Sequence, residues 1–386
     1  MACTAHLLTT MHPDPRLSPV YIGSEIYRGS SYGPKHPLAI PRVSTCTDLC
    51  RALGWLPAAV YRDAPMASDA ELARFHDPAY IAALRRAEAD QSVSEADRVR
   101  FRIGAEGNPV YRDVFRRPAI SAGGVLLAAR LTREGGIVHC PGGGTHHGRP
   151  ARASGFCFIN DPVLGLYVWL DAGIDNIVYL DIDAHHGDGV QDAFHDDPRV
   201  FTISVHEAGR WPFTGAVADR AGGAARNFAV PQGFNDSELG HLLEHAILPL
   251  IAARRPQAIM LQCGADALAE DPLAKLSLSN NAYWSVVRAV RNVAERLVVL
   301  GGGGYNPWTV GRCWAGIWAT LNDFVIPERL PPAAEAVLRA LNFDRAIGRN
   351  PPAHWFTTLR DAPRNGVVRP EIARLAELAL LETAPG

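Results

Sequence analysis

The stretch "NIVYLDIDAHHGDG", residues 176–189, decides the fold. Its first half, 176–183, is a nearly unbroken apolar and β-branched run, the pattern of a strand buried on both faces of a parallel sheet. Its second half sets three carboxylates, Asp181, Asp183 and Asp188, around two adjacent histidines, His185 and His186. So much charge at the end of a buried strand calls for a chemical reason.

Working outward, four more runs have the same character: "GIVHC" (136–140), "VFTISV" (200–205), "QAIMLQCG" (257–264) and "RLVVLGGGG" (296–304). Helical patterns separate them, over 162–172, 236–253, 280–295 and 307–322. The second of these opens with a start signal at Asn235 and Asp236. Alternating strands and helices predict an open α/β sheet with helices on both sides. Residues from about 40 to 135 read as mostly helical, with "ASDAELARFHDPAYIAALRRAEA" the clearest element. The proline- and arginine-rich part after about residue 325 reads as a peripheral helical extension without recognisable chemistry.

Each strand candidate ends in polar or glycine-rich sequence: "HCPGGGTHHG", "DIDAHHGDG", "SVHEAGRWPFTG", "CGADALAEDP" and "GGGGYNPW". In an open parallel sheet, ligands bind outside the carboxyl ends of the strands. Five segments distant in sequence therefore bring their special residues to one rim.

Composition is that of a soluble globular chain: 386 residues, 47% hydrophobic and 20% charged. A net charge of −2 gives no global electrostatic case for nucleic acid or an acidic membrane as partner. No apolar run approaches the ~18 residues of a membrane span. Seven cysteines at irregular spacing form no disulfide framework, and Cys46 and Cys50 lack the second pair that a zinc knot needs. The expectation is a reduced, cytoplasmic protein. Its sequence carries no signal of oligomeric state.

On an extended chain alternate residues share a side, so Asp181, Asp183 and His185 can face one point. Asp266, just past another strand, is the natural third ligand beside Asp183 and His185. Two carboxylates and one histidine neutralise a divalent cation and leave coordination positions open, as a catalytic site requires. Such an N/O set suits zinc and also Fe(II). The pair His146 and His147 in "GTHHG" reads either as bases for the proton of a metal-bound water or as additional ligands. Asp181 and Asp188 are candidate partners for fixing their tautomers. Tyr305, after four glycines, reads as an oxyanion donor or as a packed aromatic. Phe156 and Trp211 read as core aromatics or as walls of an apolar tunnel. The "GGG" at 142–144 lacks the lysine and hydroxyl of a phosphate loop.

The segments "THHGRPARASGFCFIND", "YLDIDAHHGDGVQDAF", "LQCGADALAEDPLAKLSLS" and "LGGGGYNPWTVGRCW" resemble the zinc-dependent histone deacetylase superfamily. They look closest to its class I branch and to the bacterial acetoin-utilisation deacetylase-like proteins. "SSYGPKHPLAIPR" and "LARFHDPAYIAAL" fit as well, and the resemblance covers roughly residues 19–325. That divides the chain into an N-terminal segment 1–18, a catalytic domain 19–325, and an extension 326–386 packed on or beside it. The resemblance implies an arginase/deacetylase-like three-layer α/β fold, with a mainly parallel eight-stranded sheet flanked by helices.

By the same resemblance Asp183, His185 and Asp266 look like the zinc ligands. His146 and His147 look like the tandem histidines, with Asp181 and Asp188 behind them, and Tyr305 like the carbonyl-polarising tyrosine. Gly155, Phe156, Trp211 and Leu273 would line the acyl-lysine channel, and Arg42 an interior exit cavity. A monovalent cation, K+ or Na+, would be held by Asp181, Asp183, His185 and Ser204. Trp211 stands where the family usually has phenylalanine and should reshape the tunnel. Glu106, in "GAEGNP", lies near where family members gripping a peptide carry aspartate, and "AARNFAVP" departs from the usual pattern. An arginase-type pair of metals would want carboxylates at positions 187 and 268; Gly187 and Leu268 stand there, so one metal is expected.

The expected activity is hydrolysis of an N-acyl amide by metal-activated water, with ε-N-acetyl-lysine in a peptide or protein as substrate. The alternative substrate is an acetylpolyamine or another small acylated amine. A non-catalytic binding protein on the same fold would be expected to have lost a ligand, a histidine or the tyrosine, and none is missing. His186 has no assigned task.

Overall fold

The computed structural model describes residues 18–381, so all but the last residue of the N-terminal segment 1–18 lies outside the described residues. Eight strands form one sheet: β1 (Val20–Gly23), β2 (Tyr61–Asp63), β3 (Gly136–Cys140), β4 (Ile177–Asp181), β5 (Val200–Glu207), β6 (Ala225–Val230), β7 (Ala258–Gln262) and β8 (Arg296–Leu300). Their order is β2-β1-β3-β8-β7-β4-β5-β6, and every pairing among the described residues is parallel.

The apolar runs are unbroken because both sheet faces are covered. In β4, Val178 and Leu180 enter one core while Ile177 and Tyr179 enter the other. Ile259 and Leu261 of β7 face the first core, and Ala258 and Met260 the second. Helices supply the covering layers. Val43–Ala52, Asn280–Val290 and Pro307–Leu321 pack on one face, and Arg116–Leu131 and Asp161–Asp171 on the other.

The expected 236–253 helix is interrupted. An Asn235/Glu238 capping box starts Asp236–Leu242, a π-turn occupies Leu243–Ile247, and Leu248–Arg254 completes the segment. Pro249 in the first turn of the last piece has no backbone N–H to give the regular ladder.

Three strands went unread in the sequence. β1 and β2 have only four and three residues. β6 carries Arg226 and Asn227 in its middle, which breaks the apolar run although both are buried. The Asn227 amide nitrogen donates there to Gln191 Oε1 at 2.8 Å and to the Asp219 carbonyl.

Past residue 325 come helices Pro332–Arg339, His354–Thr357 and Pro370–Leu381. Trp355 stacks on Trp308 with centroids 5.4 Å apart. Arg312, fully buried, pairs with Asp361 at 2.7 Å. Ile372, Ala376 and Ala379 enter the core itself.

Candidate active site

The register aligns the strand ends. Asp181 on β4 lies opposite both Ser204 on β5 and Gln262 on β7, while Leu300 on β8 faces Gln262 and Cys140. The loops that follow meet at one rim, as the sequence predicts.

After β4 the chain folds back on its own carboxylates. Asp181 Oδ1 accepts the amide of Asp183 at 3.0 Å, and Asp183 Oδ1 accepts that of His185 at 2.9 Å. These Asx-type bonds end the strand and turn Asp183 and His185 together. The 3-10 turn Ala265–Ala267 brings in Asp266, whose Oδ1 accepts the Ala184 amide at 2.9 Å. Asp183, His185 and Asp266 then offer ligand atoms all within 4.8 Å of one another. His185 Nδ1 is 2.9 Å from Asp266 Oδ2 and 3.3 Å from Asp183 Oδ1.

Glycine makes room for this trio. A Cβ on Gly264 would sit 1.7 Å from Asp183 Oδ2, and one on Gly303 would sit 2.0 Å from Asp266 Oδ2. The amide of Gly303 also donates to Asp183 Oδ2 at 2.7 Å. All three side chains are buried, and the two carboxylates are virtually inaccessible. Carboxylates this close and this deep need positive charge between them. In the protein alone His185 supplies it: against its own burial, Asp266 and Asp183 push the imidazole up to about 10. Against their burial too, His146 and His185 hold Asp183 well below the carboxylate range. A donor set of two carboxylates and one imidazole fits a divalent cation.

The glycine loop after β3 delivers the tandem histidines, fixed from below by Asp161. Its Oδ1 accepts the amides of Gly144 and Thr145 at 2.7 and 3.2 Å, and its Oδ2 accepts the Ser121 and Thr145 hydroxyls. His146 Nδ1 is 2.7 Å from Asp181 Oδ2, and His147 Nδ1 is 2.7 Å from Asp188 Oδ1. Each Nδ1 is thus the bonded nitrogen, leaving each Nε2 for the site.

The two rings differ electrostatically. Burial pushes His146 down, but Asp181 and Asp183 outweigh it and bring the ring up to about 9. Burial, and then the charge on His146, push His147 down to about 4 despite Asp188. Neighbouring groups driven apart in this way divide the charged and neutral roles.

Tyr305 is buried, and Asp271 Oδ2 accepts its amide at 2.7 Å. Burial and the charges of Asp266 and Asp183 raise its phenol well above the ordinary value, so it stays a proton donor. An opening of about 530 Å3 leads inward past Gly155, Phe156, Trp211, Leu273 and Glu106 to His147, His185 and Tyr305. Trp211 stands edge-on to His147 with centroids 4.7 Å apart, and a Cβ on Gly155 would strike it at 2.3 Å. Gly155 and Phe156 both take positive φ, 53° and 67°, and Asn108 Oδ1 holds the Phe156 amide at 2.9 Å. Glu106 lies at the mouth, 63% exposed and paired with Arg102 at 2.9 Å.

Arg42 donates to the Gly302 carbonyl at 2.6 Å and lines an inner cavity with Asp183 and Tyr305. Ser204 sits in register with Asp181, its hydroxyl 2.9 Å from His206 Nδ1. His186 turns away from the Asp183, His185 and Asp266 cluster: it bonds Thr214 Oγ1 at 2.8 Å and Gln191 Oε1 at 3.0 Å and packs on His206. Adjacent histidines in a turn face different ways. Asp161, Asp271, Asn108 and Arg149 escaped the sequence reading. Three of them hold backbone amides and the fourth caps Asp188, tasks that leave no spacing pattern. For Asp161 a signal existed, in its place within "GFCFIND".

Comparison with known proteins agrees with this geometry. The histone deacetylase domain matches residues 36–321. "Histone deacetylase 9" of Arabidopsis thaliana is 37% identical over 314 residues, 78% of this chain and 73% of that protein. "Acetoin utilization protein AcuC" of Bacillus subtilis is 33% identical over 327 residues, 81% of this chain and 84% of that one. The crystal structure of an HDAC homologue from Aquifex aeolicus superposes with a TM-score of 0.89 at 34% identity, covering 94% of this chain and 99% of that one. An HDAC homologue complexed with SAHA gives the same values. With the fold, the rim and the sequence in agreement, the chain belongs to the histone deacetylase family.

Proposed function

We propose that this chain hydrolyses N-acyl amides at one divalent metal held by Asp183, His185 and Asp266, with ε-N-acetyl-lysine as substrate. The observation that carries the reading is the pair of tandem histidines. Each is tied by Nδ1 to its own aspartate at 2.7 Å, beside a three-ligand cluster and a protonated tyrosine. Zinc suits the donor set and Fe(II) is its competitor. When bound, the metal supplies Lewis acidity and acidifies water.

The chain's own residues divide the remaining work. His147, the neutral ring, takes the proton of the attacking water on Nε2 and returns it to the leaving amine. Asp188 holds Nδ1–H throughout, so the ring cannot present the wrong nitrogen. His146, whose Nδ1 is held by Asp181, assists electrostatically or as a proton shuttle. Tyr305 donates its phenol to the acyl oxygen as that oxygen becomes an oxyanion; such a donor typically contributes ~2.7–4 kcal/mol. Gly155, Phe156, Trp211 and Leu273 form the walls along the alkyl stem, with Glu106 at the rim. Asp181, with Asp183, His185 and Ser204, frames a site for K+ or Na+.

We place the catalytic domain at 19–325 with 326–386 as its extension, and the protein in the reducing cytoplasm, where its six described cysteines, all buried and free, would remain thiols. The test is a panel of acetyl-lysine peptides and acetylpolyamines assayed alongside metal analysis of the same sample. Release of acetate from a peptide, abolished by a chelator and restored by Zn2+ or Fe2+, is the expected result. Turnover of polyamines alone would move the substrate, and inertness to every acylated amine would overturn the reading.

A further inference from the structure

The inner cavity holds two positive charges where the exit of a single acetate would engage one. It measures about 60 Å3, shares Asp183, His185 and Tyr305 with the reacting centre, and is lined beyond them by two arginines, Arg42 and Arg117. Among the described residues Asp183 is the only carboxylate in its wall, and that group belongs to the metal trio.

Neither arginine has a carboxylate partner among the described residues. Arg42 directs one nitrogen to the carbonyls of Gly302 and Gly304, at 2.6 and 3.5 Å, and its Nε is buried without a hydrogen-bond partner. Arg117 is 8% exposed, donates to the Ser30 carbonyl at 2.8 Å, and is flanked by the rings of Tyr27 and Tyr32 at 5.5 and 5.0 Å. Burial lowers the Arg42 pKa, and the charge of Arg117 lowers it further. Two guanidiniums bordering one cavity, neither with a carboxylate of its own, make it a favourable place for an anion. Dipoles of carbonyls and ring faces stabilise the two charges in part; they supply no net charge.

We propose that this cavity receives the distal carboxylate of an acidic acyl group, so that the chain removes malonyl- or succinyl-type groups from lysine in preference to neutral acyl groups of equal size. The proposal rests on the hydrolase reading above and adds the acyl class. With the reacting carbonyl at Tyr305, the arm beyond it would enter the space that Arg42 and Arg117 border. By volume the cavity takes about four waters, and the arms beyond the reacting carbonyl of malonyl and succinyl groups have about four and five heavy atoms. Long aliphatic chains do not fit. The reaction needs no further reagent. Water's oxygen bonds to the proximal acyl carbon, the C–N bond breaks, the amine takes the proton, and the free dicarboxylate leaves.

The experiment compares kcat/KM of the metal-loaded full chain on four lysine peptides: acetyl, butyryl, succinyl and succinamyl, the last with a neutral amide in place of the carboxylate. Succinyl is expected to exceed succinamyl by about tenfold or more, the scale of a hydrogen bond to a charged group. Arg117→Met should reduce the succinyl-to-acetyl ratio by a similar factor. Calorimetric titration of the wild-type protein with succinate and propionate reads the cavity without turnover, and succinate should bind more tightly. Acetyl hydrolysis with equal succinyl and succinamyl rates, or equal binding of the two acids, overturns this proposal and leaves the hydrolase reading standing. Absence of hydrolysis on every peptide, with succinate still preferred in the titration, overturns the hydrolase reading instead.

Discussion

Asp188 is shared between His147 and Arg149: one oxygen accepts His147 Nδ1 at 2.7 Å while the other is capped by the guanidinium. Arg149 lowers the carboxylate's pKa alongside His147, and against burial the group is held at about 2. Asp188 is therefore anionic whenever His147 gains a proton. Asp188→Asn should keep the fold and the metal yet lower kcat by about 10²–10⁴-fold, the usual worth of an oriented acid–base group. Steady-state kinetics with metal analysis check this, and a variant within threefold of wild type would remove the assigned role.

Tyr305→Phe removes a donor without touching the ligand trio. We expect kcat to fall about 10²–10³-fold at unchanged metal stoichiometry. A loss of metal instead of turnover would mean that the phenol serves the cluster rather than the oxyanion.

Gly264→Ala tests whether backbone clearance shapes the metal site. Its Cβ would lie 1.7 Å from Asp183 Oδ2, so that carboxylate must move. Metal content by elemental analysis should fall well below one equivalent. Gly29→Ala, with nothing within 4 Å of the new carbon, is the control and should load normally. Full loading of Gly264→Ala would show that the trio can rearrange.

Asp361→Asn leaves Arg312, which has no exposed surface, without its charge partner. Removing one member of a buried pair typically costs about 3–5 kcal/mol. Urea unfolding should show that loss, and a change below about 1 kcal/mol would place the pair among the weak ones.

His76 sets an acid limit on stability. It is buried, its Nε2 accepts the Asn160 amide at 3.0 Å, and burial pushes its pKa down to about 4. Well above pH 6.5 the ring is neutral in both the folded and the unfolded chain and contributes no pH dependence. As pH falls from about 6.5 to about 4, the unfolded chain takes up a proton that the native ring resists. Stability should therefore drop by about 1.4 kcal/mol per pH unit from this group. Urea titrations across that window should fall less steeply for His76→Gln, by about one proton; parallel slopes would exonerate the residue.

Much of the rim was legible because its chemistry is local. Carboxylates and histidines at the ends of apolar runs announce themselves, and five strands read correctly because both sheet faces are apolar. What stayed hidden depends on contacts between distant segments. β6 did not read as a strand because Asn227 is polar, and its partners Gln191 and Asp219 lie elsewhere in the chain. The strand read as 176–183 stops at Asp181, because the next carboxylates bind backbone amides. His186 had no task in the sequence because its partner Thr214, which holds it on another side, lies 28 residues away.

The stacking of Trp355 on Trp308 bears on where this molecule can be cut. Trp308 lies in the first turn of the helix that begins two residues after Tyr305, and Arg312, one turn on, is tied to Asp361. The proposed boundary at residue 325 therefore separates functions more cleanly than it separates matter. A fragment ending there would turn an indole face and a bare guanidinium toward water directly behind the tyrosine loop. Residues 326–381 act as a buttress for that loop, and the smallest piece that keeps Tyr305 in position must carry them.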